Sequence, residues 1–229
     1  MPVETSVDEH DSARDGRSTR WDPHRRERRL SIINAAIAAI EEHGPDVLTA
    51  QIAEQAGVPR THVYRHFDGK PALDLAVSTH VANQIGESVR AGLASGGTAM
   101  TIIAGAIDQH LGWVEEHPNL YRFLAQHSYN IRTDSLGSAG DAKAAIAAEL
   151  TALLSRYMVA LGIDTEPAER VIIGVVGLVD ATAAWWIGRL DPPHSVVAAE
   201  LTEQVWLLLD RTTRQLGLVL DPNQPLPEI

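Results

Sequence analysis

Two short apolar faces joined by Gly57-Val58-Pro59 constrain this chain more than any other stretch. Ile52, Ala53 and Ala56 make the first face, and Val63 and Phe67 make the second. A short helix, a turn containing Gly and a second short helix with a polar outer face make a helix-turn-helix. Ala53 and Ala56 are small, as the helix crossing requires. Gly57 suits the tight turn, and proline is tolerated at a first helical position. Val58, Val63 and Phe67 are expected to point inward. That leaves Arg60, Thr61, His62, Tyr64 and Arg65 outward, all able to hydrogen-bond and two of them cationic. Such a face suits a helix in the DNA major groove, where base edges present donors and acceptors.

The rest of the chain reads as helices separated by breakers. Leu30, Ile33, Ile37 and Ile40 form a 3-4-3 stripe on a helix of about Pro23–His43, stopped by Gly44-Pro45. Thr49 is the candidate N-cap of the next helix, and Asp68-Gly69 ends the motif. Helices are then expected from Pro71 to about Leu93, Thr98 to His117 and Pro118 to about His127. A Ser-, Gly- and Asp-rich loop over residues 130–141 precedes an Ala-rich helix from Asp141 to Leu161. Further helices run from Thr165 to Arg189 and from Ser195 to about Leu216, with Asp191-Pro192-Pro193 between them. No strand pattern and no internal repeat are visible, so the fold class is all-α. The expected division is a disordered Arg-rich arm over 1–22, a helix-turn-helix domain over 23–69, a helical ligand-binding and dimerisation domain over 70–217, and a frayed tail over 218–229.

Composition narrows the function. The 229 residues include no cysteine, which excludes disulfides, thiolate nucleophiles and Cys-ligated zinc. The apolar run from Val171 to Val179 is too short to span a bilayer. No signal peptide is visible, and the simplest reading is a soluble cytoplasmic protein without a membrane partner. The net charge is −11, unevenly spread. Residues 17–70 carry nine Lys and Arg against seven acids, whereas 71–229 carry nine against eighteen. The run 14–29 holds seven Arg against three acids. Only the N-terminal region is therefore suited to meet a polyanion. No Gly-x-Ser-x-Gly elbow, Gly-rich phosphate loop or His-Glu-x-x-His motif occurs, so no enzyme is expected. His62 and His66 share one helix face, but no third ligand is apparent, and neither metal nor cofactor is expected.

The helix-turn-helix resembles that of the TetR family of transcriptional regulators. The likeness lies in Ile52-Ala53, Ala56-Gly57-Val58, Tyr64, His66-Phe67, Lys70 and Leu73, over about residues 25–75. Two departures stand out. Thr49 lies three residues before Ile52 where the family has four, and Pro59 occupies a position usually held by Ser or a similar cap. The resemblance implies a dimer, most simply a repressor, bound to a pseudo-palindromic double-stranded operator. It also implies that Tyr64 and Lys70 contact phosphates, with Thr49 a further candidate, while Arg60, Thr61, His62 and Arg65 face bases.

On the helix Thr165–Arg189, Gly174, Gly177, Ala181, Ala184 and Gly188 form one seam of small residues that lets another helix approach closely. The family's dimer interface of four helices would use it; a helix of the same chain could equally fill it. Asp180 interrupts the same apolar helix and needs a partner, solvent or a place in a ligand cavity. Trp113, Tyr121, Phe123, His127, Tyr129, Trp185 and Trp186 are candidate linings of such a cavity. Pro118–Phe123 and Ala183–Ile187 resemble stretches of TetR-like regulators that bind fatty acyl-CoA, which implies a hydrophobic or acyl-CoA-like effector. The alternative is a helical small-molecule-binding protein whose DNA head does not function; the acidic net charge favours it, and Arg60 and Arg65 oppose it.

Overall fold

The computed structural model describes residues 15–94, 96–130, 139–189 and 191–227; side chains are described outside 15–23 and 128–143. Its helices are α1 (Asp15–His43), α2 (Thr49–Gln55), α3 (Arg60–His66), α4 (Gly69–Leu93), α5 (Ala99–Glu116), α6 (Pro118–Asn130), α7 (Ala139–Ala160), α8 (Ala168–Trp186) and α9 (His194–Gln215). No extended strand occurs among the described residues, where a single bridge joins Thr98 and Pro225.

Two apolar cores order these helices. The first gathers Ile32, Ala36, Ala39 and Ile40 of α1, Ile52 and Ala53 of α2, Val63 of α3 and Leu73, Val77 and Val81 of α4. Leu120, Phe123 and Leu124 of α6 complete it, so the N-terminal head is closed by a helix from the second half of the chain. The second core joins α5, α8 and α9 around Leu111, Val114, Trp186 and Leu201. Helices α4 and α5 cross so closely at Gly92 that a Cβ there would stand 2.4 Å from the Gly105 carbonyl oxygen.

The structure corrects several expectations. Helix α1 begins at Asp15 and runs through Pro23, so the last residues of the expected arm are helical; residues 1–14 lie outside the described residues. After Gly16 the segment holds no turn-forming pair that would stop the helix before Pro23. The buried stripe of α1 is also rotated, with Leu30 45% exposed and Ala36 and Ala39 fully buried. The tail is not frayed through Pro227. The Leu226 N–H donates to the Gly97 carbonyl at 3.0 Å, and Leu220 and Leu226 are half-buried along the cavity between the C-terminal helices. Two leucines give this segment apolar surface to bury, and a turn at Pro222-Asn223, closed by the Gln224 N–H donating to the Asp221 carbonyl at 3.2 Å, precedes the contact with Gly97.

Candidate nucleic-acid interface and effector cavity

Helix α3 is anchored by Val63 and Phe67, both buried. Gly57, at φ +63°, turns the chain between α2 and α3. Pro59 occupies the N-cap of α3 without a side-chain hydrogen bond. The outer face presents Arg60, Thr61, Tyr64 and Arg65 to solvent. The Tyr64 hydroxyl accepts from Arg60 Nε at 3.2 Å and from Arg60 Nη2 at 3.0 Å. A hydrogen bond with Thr49, then the Arg60 guanidinium, lowers the Tyr64 pKa.

Thr49 is not the cap of α2 but its first residue, and it is buried. Leu48 takes the cap position, and its N–H donates to Gln51 Oε1 at 2.8 Å. Gln51 thus satisfies the cap residue's own N–H, a different donor from the first-turn N–H groups that a capping threonine would serve. His62 is half-buried instead of outward. Its ring lies 5.1 Å from that of His66, and its Nε2 is buried without a hydrogen-bond partner among the described residues. Burial, then His62 and Arg25, Arg28 and Arg29, pushes the His66 pKa down.

Two further residues shape this face. Arg29 of α1 donates through Nη1 to the His66 carbonyl at 2.6 Å and stacks 4.2 Å from the Phe67 ring centre. The contact spans 37 positions, and no local spacing announces it. Lys70 is paired, with Nζ 2.5 Å from Oδ1 of Asp74 one turn further along α4. The other Asp74 oxygen lies 3.4 Å from His127 Nε2 on α6. That hydrogen bond is the main cause raising the His127 pKa. The i,i+4 spacing of Lys70 and Asp74 was legible in the sequence; the role of His127 was not.

In the ligand domain, a cavity of about 370 Å³ opens between α4, α5, α6, α7, α8 and α9. Its wall is mainly Ile, Leu, Val and Ala, and none of its described lining residues is Lys or Arg. Of the candidate lining residues, Tyr121 and Asp180 stand on the wall. Tyr121 donates to Asp180 Oδ1 at 3.0 Å and approaches the Asp180 carbonyl oxygen at 3.1 Å. Burial first, then the Asp180 charge, raises the phenol pKa, so Tyr121 stays protonated. His110, also on the wall, packs with its ring 6.3 Å from that of Tyr121.

The other candidates lie elsewhere. Phe123 is fully buried in the first core, 4.1 Å from the His127 ring. Trp186 is fully buried in the second core, its Nε1 donating to the Pro192 carbonyl at 2.8 Å. Trp113 packs between the two cores, and Trp185 is 47% exposed beneath the Arg189 guanidinium. His127 serves Asp74, and the Tyr129 side chain lies outside the described residues. Aromatics at helix crossings filled core, while the cavity was built from aliphatic positions that carry no distinctive motif.

The small-residue seam of α8 is open. Beyond the backbone of its own helix, a Cβ at Gly174 or Gly177 would meet no atom of the described residues within 4 Å. Ile173 on α8 and Val196, Leu207 and Leu208 on α9 are exposed.

A three-helix head with a cationic outer helix, joined to a helical body enclosing an apolar cavity, defines a ligand-responsive DNA-binding regulator. The chain belongs to the TetR family. The family described as "Bacterial regulatory proteins, tetR family" matches residues 32–77. "Tetracyclin repressor-like, C-terminal domain" matches residues 88–218. An uncharacterized helix-turn-helix transcriptional regulator of Mycobacterium tuberculosis is 32% identical over 180 residues, covering 75% of this chain and 73% of the relative. The transcriptional activator FasR of Mycolicibacterium smegmatis is 24% identical over 181 residues, covering 79% of this chain and 81% of FasR. In fold, the chain is similar to a tetR-family regulator from Streptomyces coelicolor, with TM-score 0.67, 18% identity and coverage of 84% and 86%. It is also similar to FadR from Bacillus subtilis, solved in complex with stearoyl-CoA, with TM-score 0.60, 20% identity and coverage of 77% and 96%. Among the described residues no helix is long and apolar enough to cross a membrane.

Proposed function

We propose that this chain is a non-enzymatic, cytoplasmic regulator that binds a pseudo-palindromic operator as a homodimer and responds to a hydrophobic effector held in the α4–α9 cavity. The division into a DNA-reading head over 23–69 and a ligand and dimer domain over 70–217 belongs to the same reading. Exposed Arg60, Thr61 and Arg65 read bases, while Tyr64 and Lys70 position the head on phosphate. Lys70 has donors to spare, because its ammonium carries three and one is given to Asp74. The open seam of α8 and the exposed leucines of α9 supply the dimer surface. Two-fold symmetry then sets the reading heads roughly 34–36 Å apart, or a multiple of that. The cavity suits the alkyl part of an acyl-CoA-like ligand, as its described wall is mainly aliphatic and its one carboxylate is Asp180.

The single observation that carries this reading is the placement of α6. Leu124 lies at once in the core that closes the DNA head and on the wall of the cavity. A ligand that moves α6 therefore acts on the surface the head rests upon. The test is selection of an operator from randomised duplexes, followed by anisotropy titration of wild type, Arg60→Ala and Arg65→Ala at two salt concentrations. Losing a base-reading arginine is expected to cost roughly 1–3 kcal/mol on the operator and to relax one half-site position. If both variants leave the operator-to-scrambled affinity ratio unchanged, α3 does not read sequence. Failure to select any operator would favour the alternative of a binding protein with a silent head.

A further inference from the structure

The segment after α9 lies across one end of the cavity. Helix α4 starts in the head core with Leu73 and Val77, so its last residue, Leu93, stands away from the DNA head. From there α5 returns toward the head, where His117 meets Glu41 of α1. Helix α9 runs the same way as α4, from His194 beside Glu115 to Gln215. It thus delivers the following residues to the α4–α5 turn, the end of the cavity remote from α3. Leu93 and Ala99 line the cavity on either side of that turn, and Leu220 and Leu226 join them on the wall.

Two features make this segment a separable piece. Gly217, at φ +84°, turns the chain out of α9, and beyond its chain neighbours no described atom lies within 4 Å of a Cβ built there. Asp221 then holds a local turn, accepting from the Asn223 N–H at Oδ1 (2.9 Å) and from the Gln224 N–H at its carbonyl (3.2 Å). Past that turn Pro225 pairs antiparallel with Thr98, and the Leu226 N–H donates to the Gly97 carbonyl at 3.0 Å. That hydrogen bond joins residues flanking the pair, so Thr98 and Pro225 form a non-hydrogen-bonded pair and the missing proline N–H costs the bridge nothing. The segment is held to the turn by this hydrogen bond and by the two half-buried leucines. Attachments of that size leave an open form populated at roughly 0.1–10%.

We infer that residues 218–227 are a strap that gates the cavity: it swings on Gly217, frees Leu226 from the Gly97 turn, and lets an apolar effector in and out at the end remote from the DNA head. This inference rests on reading the cavity as the effector site. Leu220 and Leu226 are wall when the strap is closed, so a bound alkyl chain packs against them and favours closure.

The test locks the strap. The chain has no cysteine, so Thr98→Cys/Pro225→Cys carries the only two thiols. The Cα atoms of a non-hydrogen-bonded pair stand about 4.5 Å apart, within disulfide reach. The reduced form of the same variant shares the loss of the Thr98 cap of α5, so comparing the two redox states isolates the cross-link. Association and dissociation of N-phenyl-1-naphthylamine, a neutral dye that brightens in apolar surroundings, are read by stopped flow. Oxidation is expected to slow both rates about tenfold or more while Kd stays within about threefold. Leu226→Ser, which loosens the strap, is expected to speed dissociation about threefold or more. Rates within about twofold of each other in the two redox states overturn the gate while the effector cavity stands. Failure of the two thiols to oxidise in folded protein overturns it equally. Ala125→Phe, which fills the cavity from α6, should weaken the dye about tenfold. If the folded variant binds dye as wild type does, or wild type binds none, both the gate and the reading of the cavity as the effector site fail.

Discussion

Replacing Lys70 by Ala tests the electrostatic joint that ties the start of α4 to α6. In the folded chain Lys70 Nζ lies 2.5 Å from Asp74, with the two side chains 29% and 11% exposed. Removing the lysine leaves a mostly buried carboxylate whose remaining named partner is His127, at 3.4 Å. Losing one member of a fully buried pair costs ~3–5 kcal/mol. Lys70 is nearly a third exposed, and water screens part of that interaction, so the expected cost is ~1–3 kcal/mol. The pH dependence fixes the sign. Asp74 raises the folded pKa of His127, so the stabilisation from that contact is fully present below the unfolded value of about 6.5. It is lost as pH rises through the raised folded value. In Lys70→Ala the protonated His127 partly replaces the missing ammonium, so the variant should lose less stability at pH 6 than at pH 8. The assay is urea unfolding of wild type, Lys70→Ala, Asp74→Asn and the double variant at both pH values. A coupling energy of ~1–2 kcal/mol between the two sites at pH 8 is expected. A coupling below ~0.3 kcal/mol, or a larger cost at pH 6 than at pH 8, would refute the joint. In DNA titrations, Lys70→Ala should also reduce the salt slope by roughly one unit per subunit.

Two further expectations concern the ligand domain. Gly92→Ala places a methyl against the Gly105 carbonyl, and the ~1 kcal/mol gained in helix propensity cannot offset a backbone clash; thermal unfolding should show a loss of ~1–3 kcal/mol. Gly177→Glu meets open space within its own chain, so circular dichroism should be unchanged, whereas ultracentrifugation should show the wild-type dimer replaced by monomer; a variant that stays dimeric removes α8 from the interface.

The head was legible because its motif is dense. Gly57, Val63 and Phe67 each do what their local chemistry demands, and α3 runs from Arg60 to His66, with Pro59 one place earlier than the first helical position expected of it. Errors arose where alanine stood in for larger apolar residues. Ala36 and Ala39 are fully buried while Leu30 is not, so a stripe counted from Leu and Ile alone lay slightly off the true face of α1. The cavity was less legible for a related reason. Aromatics draw attention, yet Phe123 and Trp186 went to close cores, and a ligand wall made of Ile, Leu and Val looks like any helix interior. Asp180 was the exception, since a carboxylate amid Val175-Val176-Gly177-Leu178-Val179 is costly unless something receives it.

The features invisible to sequence are side-chain contacts between helices far apart in the chain. Arg29 to His66, His117 to Glu41 and His127 to Asp74 span 37, 76 and 53 positions. The last two converge on α6. His117 Nδ1 lies 2.8 Å from Glu41 Oε1 at the start of that helix, and Asn119 donates to the Glu41 carbonyl at 2.9 Å. At its other end His127 holds Asp74, which holds Lys70. Between them Tyr121 and Leu124 face the cavity. An effector changes DNA affinity only if it binds the DNA-competent and incompetent positions of this helix unequally. Because α6 is pinned to the head at both ends, a displacement that favours ligand contacts at Tyr121 must strain either the Glu41 contacts or the Asp74 pair. On the reading proposed above, those contacts would supply the difference in energy between the two positions, and substitutions there are expected to alter the response to effector without touching either the ligand or the DNA.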